Sequence, residues 1–202
     1  DRDSTEYMRE QNAAGCDVVN TTGDPANCQF STYVGDGIAH INEDFLDGEA
    51  DVANLPSKKI LQSLITDWAT KYVASDRALT LFMVDHGGNN KLYLDGTRNE
   101  VLRPNDLDDW LDQLEEQTNA KVNIIIEACQ SGSFIVGEQS ISKQGRVIVT
   151  ASDALAPSYA SQRGAIFSDS LISALAQSKS VKAAFDEADW AVQQRPLIGQ
   201  IP

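Results

Sequence analysis

Two apolar runs dominate the chain, Leu79-Thr80-Leu81-Phe82-Met83-Val84 and Val122-Asn123-Ile124-Ile125-Ile126, and each turns polar within one residue. The first breaks into Asp85-His86-Gly87-Gly88, the second into Glu127-Ala128-Cys129-Gln130-Ser131-Gly132. Runs this apolar and this rich in β-branched residues predict strands covered on both faces. A third such strand is predicted over residues 146–151. Helical spacing separates the strands. Behind Pro56-Ser57, the stripe Ile60, Leu61, Leu64, Ile65, Trp68 and Tyr72 predicts a helix with that face buried. Pro104, the acids Asp106, Asp108 and Asp109, and the stripe Leu107, Trp110, Leu111 and Leu114 predict a second. Both tryptophans are read as packing residues. Residues 167–176 and 181–192 predict two covering helices, Leu92-Tyr93-Leu94-Asp95-Gly96 a short hairpin, and the stretch between Cys129 and Gly145 a loop long enough to be mobile. A helix is also expected over residues 4–13.

An amphipathic helix before each strand implies right-handed crossovers and a parallel sheet. Parallel strands present their carboxyl ends on one edge, where open α/β sheets bind ligands. His86 and Cys129 are therefore expected to meet there. A thiol is only a few per cent ionised near neutrality and needs a base beside it, which His86 supplies. Gly87 and Gly88 leave room for a substrate carbonyl, and the amides of Gly87 and Cys129 are the expected oxyanion hole. Asp85 faces the opposite side of an extended chain from His86, so the expected unit is a Cys–His dyad without a third member.

Charge and cysteine usage narrow the options. A net charge of −14, with 16 Lys and Arg against 30 Asp and Glu, disfavours a nucleic-acid partner and suits a soluble protein. No apolar run reaches the ~18 residues of a membrane span, and no signal peptide opens the chain. With two His and three Cys, no cluster has zinc-ligand spacing. The acids Asp36, Glu43, Asp44, Asp47, Glu49 and Asp51 around His40 lack the order of a calcium loop, so neither metal nor cofactor is expected. No glycine-rich nucleotide loop follows a strand. Cys16 and Cys28 flank a turn-rich segment. In an exported protein they would pair, contributing roughly 3 kcal/mol, and that bridge tilts the expected location outward.

The joint placement of His86-Gly87 and Glu127-Ala128-Cys129-x-Ser131-Gly132 at successive strand ends resembles legumain, the asparaginyl endopeptidase (haemoglobinase) family of caspase-like cysteine peptidases. The similarity continues through Thr150-Ala151-Ser152, Pro157-Ser158-Tyr159-Ala160 and Phe167-Ser168-Asp169-Ser170. It implies a three-layer α/β caspase-like fold with a mostly parallel central sheet flanked by helices. The expected unit is one peptidase domain over residues 1–202, lacking the first strand and the C-terminal end. It implies peptide-bond hydrolysis through an acyl-enzyme on a peptide or protein substrate. It also implies a specificity pocket lined by Glu127 and Asp169 and walled by Ser152 and Asp153. Two carboxylates would reject an acidic side chain and favour Asn, Lys or Arg before the cut. The competing reading is a catalytically silent caspase-like binding or adaptor module.

Overall fold

In the computed structural model, which describes residues 57–94, 100–161, 164–194 and 200–202, the three apolar runs pair as the helix–strand alternation demands. The expected helix at 4–13, the Cys16–Cys28 pair and the acidic stretch around His40 lie outside the described residues. The strands are β1 Leu79–Val84, β2 Gly87–Gly88, β3 Lys91–Tyr93, β4 Val101–Leu102, β5 Val122–Glu127, β6 Arg146–Thr150, β7 Ala160–Ser161 and β8 Gly164–Ala165. The α-helices are α1 Lys58–Ser63, α2 Pro104–Thr118, α3 Ile166–Ala176 and α4 Val181–Gln193. β5 is central in a parallel sheet of order β1-β5-β6, with Leu81 opposite Ile124 and Ile124 opposite Ile148. β2, β3 and β4 form a small antiparallel sheet that begins with the two glycines after His86.

Helices cover the sheet on both sides. One core joins Val122, Ile124 and Ile126 to Leu107, Leu111 and Leu114 of α2 and to Ile65 and Ala69. The other joins Val149 and Ile125 to Phe167, Leu171 and Ala174 of α3 and Ala184, Ala188 and Val192 of α4, with the Phe167 and Phe185 rings edge to face. β5 is covered on both faces as expected, and β6 is too toward its C-terminal end, where Ile148 packs on the first core and Val149 lies in the second, whereas β1 packs on the first core alone through Leu79, Leu81 and Met83. Phe82, Val84 and Val147 are each close to half exposed, because α3 and α4 pack over Ile125 of β5 and Val149 of β6 rather than over β1 or the start of β6.

The first helix departs further from expectation. Ser57 caps α1 through Ile60 N–H, but Leu64–Trp68 then winds as a π-turn, closed by Ala69 N–H on the Leu64 carbonyl. The extra residue in that turn rotates everything after it. Ala69 therefore takes the buried place that 3.6-residue spacing assigns to Trp68. Trp68 and Tyr72 pack against each other on the exposed side, ring centroids 4.7 Å apart and planes tilted by 42°, so Trp68 is not a core residue; Trp110 is.

The stretch after Cys129 is held at three points. Phe134 and Ile141 are fully buried in the α2-side core, and Arg146, its side chain wholly buried, reaches the carboxylates of α2. Its Nε donates to Glu115, one terminal nitrogen to Asp108 and the Ile141 carbonyl, and the other to Asp112 and Glu115. All the N–H donors of the guanidinium are thus used. Lys143 adds bonds to Asp108 and Asp112 at 2.9 and 2.7 Å. Burial would push Arg146 down, but Glu115 and Asp108 outweigh it and hold the group above its ordinary value. Burial likewise pushes the Asp112 carboxyl up, but Lys143 and Arg146 outweigh it and hold the group below the usual range.

Arg146→Met is expected to cost about 2–4 kcal/mol, because a buried cation leaves behind three carboxylates. Urea unfolding near neutral pH measures it. The pH dependence follows from Asp112, whose folded value is depressed. Its contribution is complete above the unfolded value of about 3.9 and is lost as pH falls through the lower folded value. The gap between wild type and variant should therefore narrow below about pH 4.

Candidate active site

His86 and Cys129 stand at corresponding places, each two residues beyond the paired positions Val84 and Glu127 of adjacent parallel strands. Asp85 N–H extends the ladder by one bond to the Glu127 carbonyl, 3.3 Å. The Asp85 carboxylate accepts the backbone N–H of His86, an engagement local to that turn. The His86 side chain is exposed.

The glycine after His86 has a reason besides the expected one. A Cβ on Gly87 would fall 2.3 Å from the Cys129 carbonyl oxygen and 2.8 Å from the Ala128 Cβ. Gly87 thus leaves room for the peptide of Cys129, not only for a substrate, and Ala128 is small for the same reason. Tyr93 N–H donates to the His86 carbonyl, so Gly87 faces Leu92 as a non-hydrogen-bonded pair and its own N–H stays outside the ladder. The Cys129 N–H donates to no backbone carbonyl among the described residues. The Cys129 nitrogen lies 3.3 Å from where a Gly87 Cβ would stand. The two amides expected to form an oxyanion hole are neighbours.

A sharp turn follows the cysteine. Gln130 adopts the left-handed conformation at φ 57°, which costs a non-glycine residue of order 1 kcal/mol and persists where the surroundings fix it. Here its N–H donates to the Ala156 carbonyl at 2.8 Å. The Gly132 N–H donates to the Ser152 carbonyl, and a Cβ on Gly132 would strike the Asp153–Ala154 peptide at 2.7 Å. Ser133 accepts Asn90 N–H at 2.8 Å, which ties the turn to the hairpin after His86.

Ser152 was expected to wall a pocket. It is fully buried, with its hydroxyl bonded to the Ala128 carbonyl at 2.9 Å and paired with the Ser131 hydroxyl at 3.2 Å. Its side chain supports the cysteine turn. Asp153 is half-buried, and its Oδ1 accepts the N–H groups of Leu155 and Ala156, closing the turn after β6.

Glu127 and Asp169 stand in unlike surroundings. Asp169 is exposed in the first turn of α3, while Glu127 is 3% exposed. Glu127 Oε1 accepts from the Ser158 hydroxyl, and Oε2 accepts from the Ser168 N–H at 2.9 Å and hydroxyl at 2.7 Å. No side chain of its own segment caps α3, so Glu127 satisfies an orphan donor there and lies at the positive end of the helix. These bonds, all from neutral donors among the described residues, compensate the buried carboxylate.

Two residues here were quoted in the sequence only as part of the resemblance, with no role of their own. Ser158 brackets Cys129: its N–H lies 3.4 Å from the Cys129 sulfur, and the thiol lies 3.5 Å from its carbonyl. Ser168 belongs to a run in which Asp169 drew notice through its charge. Periodicity marks neither serine. Among the described residues, no group of three His, Cys, Asp or Glu side chains is placed to hold a metal ion, and no helix is long and apolar enough to cross a membrane.

Gly87→Ala is expected to destabilise the chain by about 1–3 kcal/mol, because the atoms its Cβ meets are mostly backbone of the next strand end. Urea unfolding would show the loss, and a fully native stability would contradict the close approach. A comparison with curated proteins finds no match. The model of the Peptidase C13 family matches residues 42–197, which span both strand ends, the cysteine turn and the two helices of the second core. That family has the caspase-like fold, in accord with the helix–sheet–helix layering and parallel sheet found here. The chain belongs to the Peptidase C13 family, the legumain family of cysteine peptidases.

Proposed function

We propose that the protein is a cysteine endopeptidase in which Cys129 attacks the scissile carbonyl and His86 moves the protons. The observation that carries this reading is the seating of Gly87 against the Cys129 peptide, which sets the base-bearing and nucleophile-bearing strand ends side by side. His86 takes the thiol proton as the sulfur–carbon bond forms, and the N–H groups of Gly87 and Cys129 receive the developing oxyanion. Collapse of the tetrahedral adduct expels the amine with the proton from His86, leaving a thioester that water hydrolyses with His86 as base. In the resting chain the thiol lies against the Ser158 backbone instead. Nucleophile–base contacts are often loose before substrate binds.

The substrate is a peptide or protein, cut after Asn, Lys or Arg. A carboxylate offers about four lone-pair sites, and three donors from Ser158 and Ser168 fill most of those of Glu127. What remains favours a donor, an amide or a cation, and repels a carboxylate. Asp153 and Asp169 add negative charge around the same strand ends. A full positive charge gains more from these carboxylates than a neutral amide does, which tilts the preference toward Lys and Arg over Asn.

Cys129→Ala is expected to reduce peptide cleavage to background and His86→Ala to lower it about 10²–10⁴-fold, both with native stability. The double variant should be no worse than Cys129→Ala, because the two residues act as one unit. Wild-type turnover in Cys129→Ala would contradict the mechanism. A positional-scanning peptide library tests the pocket: Lys, Arg or Asn is expected before the cut, and a preference for Asp or a large apolar residue would contradict it. The same library run on Glu127→Gln should show the cation preference falling relative to Asn. Only that ratio is informative, because the substitution also disturbs the cap of α3.

A further inference from the structure

Gln200 follows α4 in the chain, yet it is 6% exposed and its amide joins two segments beside the cysteine. Its Oε1 accepts the Tyr159 N–H at 3.0 Å, and its Nε2 donates to the Ala151 carbonyl at 2.7 Å and to the Ser158 hydroxyl oxygen at 3.3 Å. A backbone donor on one side and a backbone acceptor on the other admit only this orientation of the amide. The next residue reinforces the contact, since the Ile201 carbonyl accepts the Asp153 N–H.

Ser158 is where these bonds meet the site. Its hydroxyl has one proton to give, and Glu127 Oε1 receives it while Gln200 donates into a lone pair of the same oxygen. Its N–H and carbonyl flank the Cys129 sulfur. Gln200 therefore lies one residue removed from both the nucleophile and the buried carboxylate. It also holds the end of β6 through Ala151, whose N–H closes the ladder on the Ile126 carbonyl at 3.0 Å.

We propose that Gln200 is a positioning residue of the peptidase site, fixing Ser158 so that its backbone flanks the Cys129 sulfur and its hydroxyl engages Glu127. The inference rests on the reading of Cys129 as nucleophile. Gln200 touches no reacting atom and acts through Ser158.

The experiment uses Gln200→Ala, Gln200→Glu and Ser158→Ala in the full chain. It reads kcat and KM on a cleaved peptide, the rate of Cys129 alkylation by iodoacetamide, and the thermal midpoint. Gln200→Ala should lower kcat about tenfold, equivalent to about 1.4 kcal/mol, with KM little changed and Cys129 alkylation altered in parallel. An ionised carboxylate at position 200 can still accept from Tyr159 but cannot donate to Ala151 or Ser158. The deficit of Gln200→Glu relative to wild type should therefore shrink as pH falls and the carboxyl regains a donor. A role confined to packing would lower the thermal midpoint and leave that ratio flat with pH. Combining Gln200→Ala with Ser158→Ala should cost less than the product of the single losses. Wild-type kcat and alkylation rate in both Gln200 variants, or a pH-independent deficit in Gln200→Glu, would overturn the proposal. Should Gln200→Ala not fold, the isosteric Gln200→Glu carries the test. If wild type cleaves no peptide, the peptidase reading fails by itself, and the alkylation rates still decide whether Gln200 positions Cys129.

Discussion

A carboxylate buried at the end of the central strand governs how the site is built. Glu127 is followed two residues later by Cys129, and its oxygens accept from Ser158 on one side and from the first turn of α3 on the other. Neither group is easily replaced, since a buried donor left without its acceptor costs about 1–3 kcal/mol. The strand end, the segment that flanks the thiol and the helix of the second core are thereby fixed to one another. That core in turn supports Ile125 and Val149, so the same bonds that complete the site also close one face of the sheet.

The opposite face reaches the cysteine by another route. Arg146 gathers Asp108, Asp112 and Glu115 from α2 and the Ile141 carbonyl from the stretch after Cys129, while Phe134 and Ile141 sink into the core below. The turn at Gln130 lies between the two systems. Its left-handed backbone is held by the Ala156 carbonyl on one side, and the Ser133 link to Asn90 carries the constraint to the hairpin after His86. Rigid support from both layers suits the nucleophile role proposed for Cys129, whose reacting geometry would have to be kept within fractions of an ångström.

The strands and helices were legible because periodicity and punctuation agreed: β1, β5, β6, α3 and α4 lie within a residue or two of the runs that predicted them. Where they disagreed, a local geometry that composition does not encode decided the outcome. The π-turn at Leu64–Trp68 moved Trp68 and Tyr72 to the surface. Phe82 and Val84 are apolar in sequence, but the helices above them do not extend that far. In the site, the glycine after the histidine and the alanine before the cysteine were visible, though the crowding of Gly87 on Cys129 was not. Ser152 and Glu127 were noticed for their chemistry, and the structure shows both occupied in holding neighbouring segments. Ser158, Ser168 and Gln200 carry no signal of their own, since a serine or glutamine becomes informative only once its partners, distant in sequence, are known.

One thiol, Cys129, is proposed to perform peptide cleavage. The most direct measurement is titration with an electrophilic peptide probe that alkylates active-site thiols, following label by mass mapping and cleavage of a reporter peptide in the same samples. Residual activity should fall in one-to-one proportion to the fraction of Cys129 labelled, reaching zero at full labelling. Cleavage that persists when Cys129 is fully labelled, or that is lost through modification of Cys16 or Cys28, would contradict it.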